Sequence, residues 1–189
     1  MNLIPDFEIG ILNAWVFMIW LIILPFLTKL IIKDKNTSKK LRTSVPVKYE
    51  KELNIMSMSV VIFTFLYSIF LPFKYNTFWF YIGVIFFLIG IMIYISAIFY
   101  FRNVNANEFF NKGPYRFSRH PVYISMIFIF VSVIFSCLSW VIFILLLFLL
   151  FHLIIAVPAE EKYCIKKYGN EYKEYLKKTP RWIGFPKSK

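Results

Sequence analysis

Two short polar stretches in an otherwise apolar chain carry residue types that could do chemistry. The first is Gly113-Pro114-Tyr115-Arg116-Phe117-Ser118-Arg119-His120-Pro121-Val122-Tyr123. Proline suits the first position of a helix, because its missing N–H would be unpaired there in any case. Pro121 therefore reads as a helix start and His120 as its cap. The free N–H groups of such a first turn, at the positive end of the helix dipole, can hold an anion such as a carboxylate. A tight Gly-Pro turn with Arg116 and Arg119 at phospholipid headgroups accounts for the same residues without a ligand. The second stretch is Pro158-Ala159-Glu160-Glu161. Acidic residues in a first helical turn are stabilised by the dipole, which alone could explain them.

The elements between the two stretches join them. Val122–Ser136 and Trp140–Val157 read as an apolar hairpin around Cys137–Ser139, which returns the chain to the level it left. Spacing thus brings His120 and Glu160 near one another. Anion-binding N–H groups at one end and a carboxylate at the other suit a zwitterion, such as the amino-acid end of S-adenosylmethionine.

The rest of the chain places this site at a membrane. Of 189 residues, 59% are hydrophobic and 21% aromatic, and the mean hydropathy is +0.65. Soluble domains run nearer 45–50% apolar, so this composition excludes a cytosolic enzyme and excludes disorder. With six Gly and no GxGxxG or GxxxxGK[ST] run, neither common nucleotide loop is present. Three further stretches are long enough to span: Ile11–Ile32, with Pro25 expected to kink it, Leu53–Phe73 and Phe78–Phe101. The first does not read as a signal peptide, because Asp6 and Glu8 precede it and it is too long. Val122–Ser136, at 15 residues, is short for a full crossing. Pro158 is expected to open a last polar helix reaching about Lys178. Its Tyr168, Tyr172, Tyr175 and Leu176 share a face, as in an amphipathic helix on the inner leaflet.

The net charge of +12 is gathered into blocks between apolar stretches, which points to topology rather than to nucleic acid. Lys33–Glu52 holds seven Lys and Arg, Arg102–Pro121 four and the C-terminal region nine. With Lys29 that side carries 21 and the other only Lys74. Five spans follow, with the N-terminus outside and the C-terminus cytoplasmic. Trp79 and Trp140 then sit at the outer interface. Cys137 and Cys164 fall on opposite sides, so no disulfide is expected, and without a CxxC pair no metal site is expected either. Gly83, Gly90 and Ala97 recur every seven residues on one face, either to pack a neighbouring helix closely or to leave room for a ligand.

The order G-P-Y-R-F-S-R-H-P-V-Y, a hydrophobic hairpin, then E-E-x-x-x-x-x-x-Y-G-x-E-Y-x-x-Y resembles the isoprenylcysteine carboxyl methyltransferase family, with phospholipid N-methyltransferases as more distant relatives. The resemblance covers roughly Phe109–Pro186 and closes with Thr179-Pro180-Arg181. It implies an all-α integral membrane enzyme: five transmembrane helices, with the C-terminal hairpin and a cytoplasmic amphipathic helix. One domain is implied, 11–101 supplying three spans and 102–189 enclosing the cofactor. It implies S-adenosylmethionine as cofactor, no metal, and a lipophilic or prenylated substrate arriving sideways from the lipid. Cofactor contacts are implied at Asn107, Glu108, Phe109, Phe110, Tyr115, His120, Pro121, Val122, Tyr123 and Glu160. Carboxyl methyltransferases of this family carry an Arg four residues before that Glu, where this chain has Ala156. His152, one turn deeper, and Arg181 are the substrate-side candidates. No catalytic side chain is fixed, and His120 and Arg119 are the best placed for the role.

The expected activity is therefore S-adenosylmethionine-dependent methyl transfer to a lipophilic substrate at the cytoplasmic membrane face. The alternatives are a phospholipid or small-amine N-methyltransferase, and a non-catalytic lipid-binding protein on the same scaffold. A sterol-type reductase would need a nicotinamide site, for which there is no motif.

Overall fold

The computed structural model describes residue 8 and residues 10–31, 50–102 and 111–186. It is helical: α1 Trp15–Met18, α2 Trp20–Ile31, α3 Glu50–Ser68, α4 Phe78–Arg102, a 3-10 turn at Gly113–Arg116, α5 Pro121–Cys137 and α6 Trp140–Lys178. Among the described residues there is no strand, only an isolated bridge between Asn13 and Pro72. Two helices are long and apolar enough to cross a membrane, Phe78–Tyr100 and Trp140–Lys178. Trp15–Thr28, Ile55–Ser68 and Pro121–Cys137 are apolar but shorter.

The surface is inverted relative to a water-soluble bundle. Phe78, Met92, Ile95 and Ile154 are more than half exposed, while Thr64, Ser68, Ser125 and Ser132 are wholly buried. Exposed apolar bands of this extent are stable only against another apolar phase. The buried hydroxyls are satisfied within their own helices, as in Ser125 to the Val122 carbonyl and Thr64 to the Val60 carbonyl.

Three boundaries differ from the sequence pattern. The first apolar stretch is divided at Ile19, while α2 is continuous across Pro25. Its lead-in is used instead to close one end of the bundle: Ala14 N–H donates to the Leu71 carbonyl at 3.0 Å and the Asn13 amide to the Ile69 carbonyl at 2.8 Å. Those bonds draw residues 69–73 out of the helix, so α3 ends at Ser68 rather than Phe73. The largest difference is at Pro158. No new helix starts there. α6 runs through it and breaks at Gly169, with φ 62° and ψ −134°. That conformation is open essentially to glycine alone. Proline removes one backbone hydrogen bond, a loss the packed flanks of a long helix can absorb. Beyond the break, Tyr172 and Tyr175 are buried, so the tyrosine face packs on protein instead of lying against lipid.

α4 and α5 form the closest helix pair, and the glycine stripe is the reason. A Cβ at Gly83 would lie 2.6 Å from the Ser132 carbonyl oxygen and collide with the Ser136 hydroxyl. At Gly90 it would sit 3.1 Å from the Ser125 carbonyl oxygen. Ala97 is fully buried on the same line. The stripe is a packing seam, and the backbone of α5 fills the space a ligand would need. Gly83→Leu is expected to cost about 3 kcal/mol, because the obstacle is backbone and cannot turn aside. Thermal unfolding in detergent checks this, and an unchanged midpoint would contradict so close an approach.

Candidate functional site

The site forms where the connector before α5, the polar half of α6 and the C-terminal segment meet. Gly113 starts the connector at φ 58°, where a Cβ would strike the Tyr100 ring, so the turn seats directly on the end of α4. Pro114 follows in the 3-10 turn and Tyr115 is buried beneath it. The Ser118 hydroxyl accepts the His120 backbone N–H at 3.0 Å and fixes the approach to α5. Pro121 occupies the first turn of α5, as its type dictates. His120 is the N-cap residue, yet its side chain makes no capping bond. It turns instead toward α6.

There, Glu160 and Glu161 are neighbours roughly 100° apart around the helix, and they face different partners. Nδ1 of His120 lies 3.6 Å from Oε2 of Glu160 and Nε2 lies 3.4 Å from Oε1 of Glu161. The Tyr123 hydroxyl donates to Oε1 of Glu160. Its ring stacks on His120 with centroids 5.7 Å apart.

Glu161 is the ionic hub. Arg181 grips it with two hydrogen bonds, Nη2 to Oε2 at 2.7 Å and Nε to Oε1 at 3.2 Å. Nε of Arg119 lies 3.3 Å from Oε1. Burial alone would raise this carboxyl. Hydrogen bonds from His120 and Arg181 and the charges of both arginines overcome it and take the pKa down to about 2. Glu160 goes the other way. Burial pushes it up, and the Tyr123 hydroxyl and His120 offset only part of this. One carboxylate is thus committed to cations of the chain. The other keeps about a third of its side chain open, at 34% exposure.

The C-terminal segment is strapped over this cluster. Arg119 N–H donates to the Pro180 carbonyl at 3.1 Å, and Gly184 N–H to the Phe117 carbonyl at 3.0 Å. The Ser118 hydroxyl donates to the Arg181 carbonyl at 3.3 Å. Below, the Tyr175 hydroxyl donates to the Tyr115 carbonyl at 2.7 Å. Trp182 lies 6.5 Å from the His120 ring. Because Glu161 is held far below its ordinary value of 4.5, its contribution to stability is complete above that pH and is lost as pH falls toward about 2. Acid is therefore expected to free the strap across this window. Tryptophan fluorescence compared with that of Trp182→Phe reads it, and a transition centred near neutral pH would contradict it.

Of the residues picked from sequence, His120, Tyr123 and Glu160 come together, with Pro121 and Val122 opening the helix beside them. Tyr115 supports the floor through its carbonyl. Arg119 and Arg181 meet, but on Glu161. His152 is buried on α6 and, eight residues from Glu160, sits about 12 Å away along the helix axis, outside the cluster. Asn107, Glu108, Phe109 and Phe110 lie outside the described residues. Sequence reasoning passed over Glu161 as a first-turn acid. That explanation fails because α6 does not begin at Pro158, so there is no helix N-terminus for the two acids to stabilise. Ser118 and Trp182 carried no signal beyond their position next to the motifs.

A family model described as phospholipid methyltransferase matches residues 56–171. The match starts within α3, takes in the connector, the hairpin and both glutamates, and stops before the strap. No curated protein matches the chain. The match spans more than half of the 189 residues and agrees with the motif order, so the chain belongs to the phospholipid methyltransferase family of membrane methyltransferases.

Proposed function

We propose that this protein transfers a methyl group from S-adenosylmethionine to a lipophilic acceptor at the cytoplasmic face of a membrane, in the manner of isoprenylcysteine carboxyl methyltransferases. The carrying observation is the meeting of His120 and Glu160 at the start of α5, 3.6 Å apart across 40 residues of sequence. Topology supports the reading. If the chain makes the five spans read from its sequence, with the N-terminus outside, all but Lys74 of the Lys and Arg residues, and the whole cluster, fall on the cytoplasmic side. Trp79 and Trp140, both nearly half exposed, would then lie at the opposite interface.

The residues present suit this cofactor. The first-turn N–H groups of α5, at Val122 and Tyr123, would hold its carboxylate, and the open side of Glu160 its ammonium. His120, Pro121 and Tyr115 complete the wall, with Asn107–Phe110 added by resemblance. When bound, S-adenosylmethionine supplies an electrophilic methyl group on a sulfonium. The protein's share is alignment and dryness. The strap and the aromatic rings of Tyr123 and Trp182 keep water from the cluster, and a fixed geometry lowers the entropic part of the barrier. Arg181 keeps an open edge beside Glu161, with 42% of its side chain exposed, where an acidic acceptor could be gripped.

One observation favours an amine-bearing lipid as a second reading. Ala156 stands where carboxyl methyltransferases carry an arginine. An amine must lose its proton before it attacks, and Nδ1 of His120 beside Glu160 is a pair that can receive one. The test is incubation of membranes containing the protein with methyl-labelled S-adenosylmethionine. Lipid-extractable label that depends on Glu160 is expected. Release as methanol in mild base marks an ester, and base-stable label marks an amine. Label that is unchanged in Glu160→Ala would contradict the site.

A further inference from the structure

The strap presents two faces. Arg181 and Trp182 turn to the cluster, as described above. Ile183 is 67% and Phe185 87% exposed, and Phe117, at 48%, extends the same patch from the connector. Phe117 and Phe185 meet edge to face with centroids 6.4 Å apart. The backbone bond from Gly184 to Phe117 holds the three in place. A loose tail would bury such side chains against itself. Here hydrogen bonds hold them outward, beyond the helices whose apolar bands face lipid.

Two observations identify what covers the patch. Phe117 lies four residues before Pro121, where the apolar run of α5 begins, so the patch stands at the polar edge of the span. The residue after Phe185, Pro186, lines an open groove of about 540 Å³ with Lys112, Arg116 and Lys178. Glu171 and Glu174 share that groove, but Glu174 is paired with Lys177 at 2.7 Å. Lys187 and Lys189 follow in sequence. Large apolar side chains rimmed by cations match the boundary of an anionic leaflet, where rings enter the acyl region and lysines stay at the headgroups.

We infer that Phe117, Ile183 and Phe185 dock into the anionic cytoplasmic leaflet, so that the strap closing the site is itself seated on lipid. This rests on the membrane topology proposed above. The test places benzoylphenylalanine at 185 in the full chain, reconstituted into phosphatidylcholine vesicles with or without phosphatidylglycerol. Illumination and mass spectrometry then identify the adduct. Phe148→benzoylphenylalanine, lipid-facing in α6, and Asn170→benzoylphenylalanine, exposed beyond Tyr168, serve as references. The expected result is a lipid adduct at 185 approaching the Phe148 yield, and about threefold higher with the anionic lipid. A yield at the Asn170 level, an adduct to a second copy of the chain, or no response to phosphatidylglycerol would overturn the inference. Absence of lipid adducts at 148 as well would overturn the membrane topology, which separates the two failures.

Discussion

Glu161→Gln is expected to unfasten the strap and to lower stability by about 3–5 kcal/mol, the cost of removing one partner from a buried ionic network. The side chain is 7% exposed and faces Arg119, His120 and Arg181. Gln keeps the shape and one acceptor oxygen but loses the charge. Arg119, with its side chain 11% exposed, would then be left buried without a counterion. Arg181→Ala should cost less, about 1 kcal/mol, because that guanidinium is 42% exposed and water can replace part of its pairing. Chemical denaturation read by tryptophan fluorescence measures both. Equal small losses in the two variants would show that Glu161 is not the hub. The acid transition assigned to the strap should disappear in Glu161→Gln, since the group that titrates has been removed.

His120→Ala should reduce methyl transfer at least about 100-fold, the lower range for loss of a positioned acid–base or orienting group. The imidazole stands between the two carboxylates, with one ring nitrogen toward each. Its removal leaves Glu160 and Glu161 facing the same gap with no donor between them and opens the wall at the start of α5. Stability should fall less than in Glu161→Gln, because Arg119 and Arg181 still neutralise Glu161. The variants therefore separate the job the contacts give Glu161, holding the strap, from the binding role proposed for His120 with Glu160. Transfer and unfolding assays on the same preparations check the split. An inactive but less stable His120→Ala, at the level of Glu161→Gln, would collapse it.

Much of this was legible in the chain. The apolar hairpin, with Pro121 at a helix start, was enough to bring residues 120 and 160 to one level, because helix rise and turn length leave little freedom. The glycine stripe was legible as a line of close approach, but only the α5 backbone against Gly83 and Gly90 decides for a packing seam over room for a ligand. The division of labour between the two glutamates was not. It depends on α6 passing straight through Pro158, a local penalty that packing outweighs and that residue type alone argues against. Nor could the strap be read. Thr179–Pro186 has no periodicity, and its position rests on backbone hydrogen bonds to Phe117 and Arg119, which any side chains could make. The bridge between Asn13 and Pro72 was missed for the same reason.

The central claim is that an α5 N-terminus and the Glu160 carboxylate together hold a zwitterionic methyl donor. Calorimetric titration of the detergent-purified protein with S-adenosylhomocysteine tests it most directly. Saturable binding to the unaltered chain is expected, weakened at least about 100-fold, or by about 3 kcal/mol, in Glu160→Ala, which stays folded and loses less thermal stability than Glu161→Gln. Equal affinity in the two proteins, or no heat with either, would contradict it.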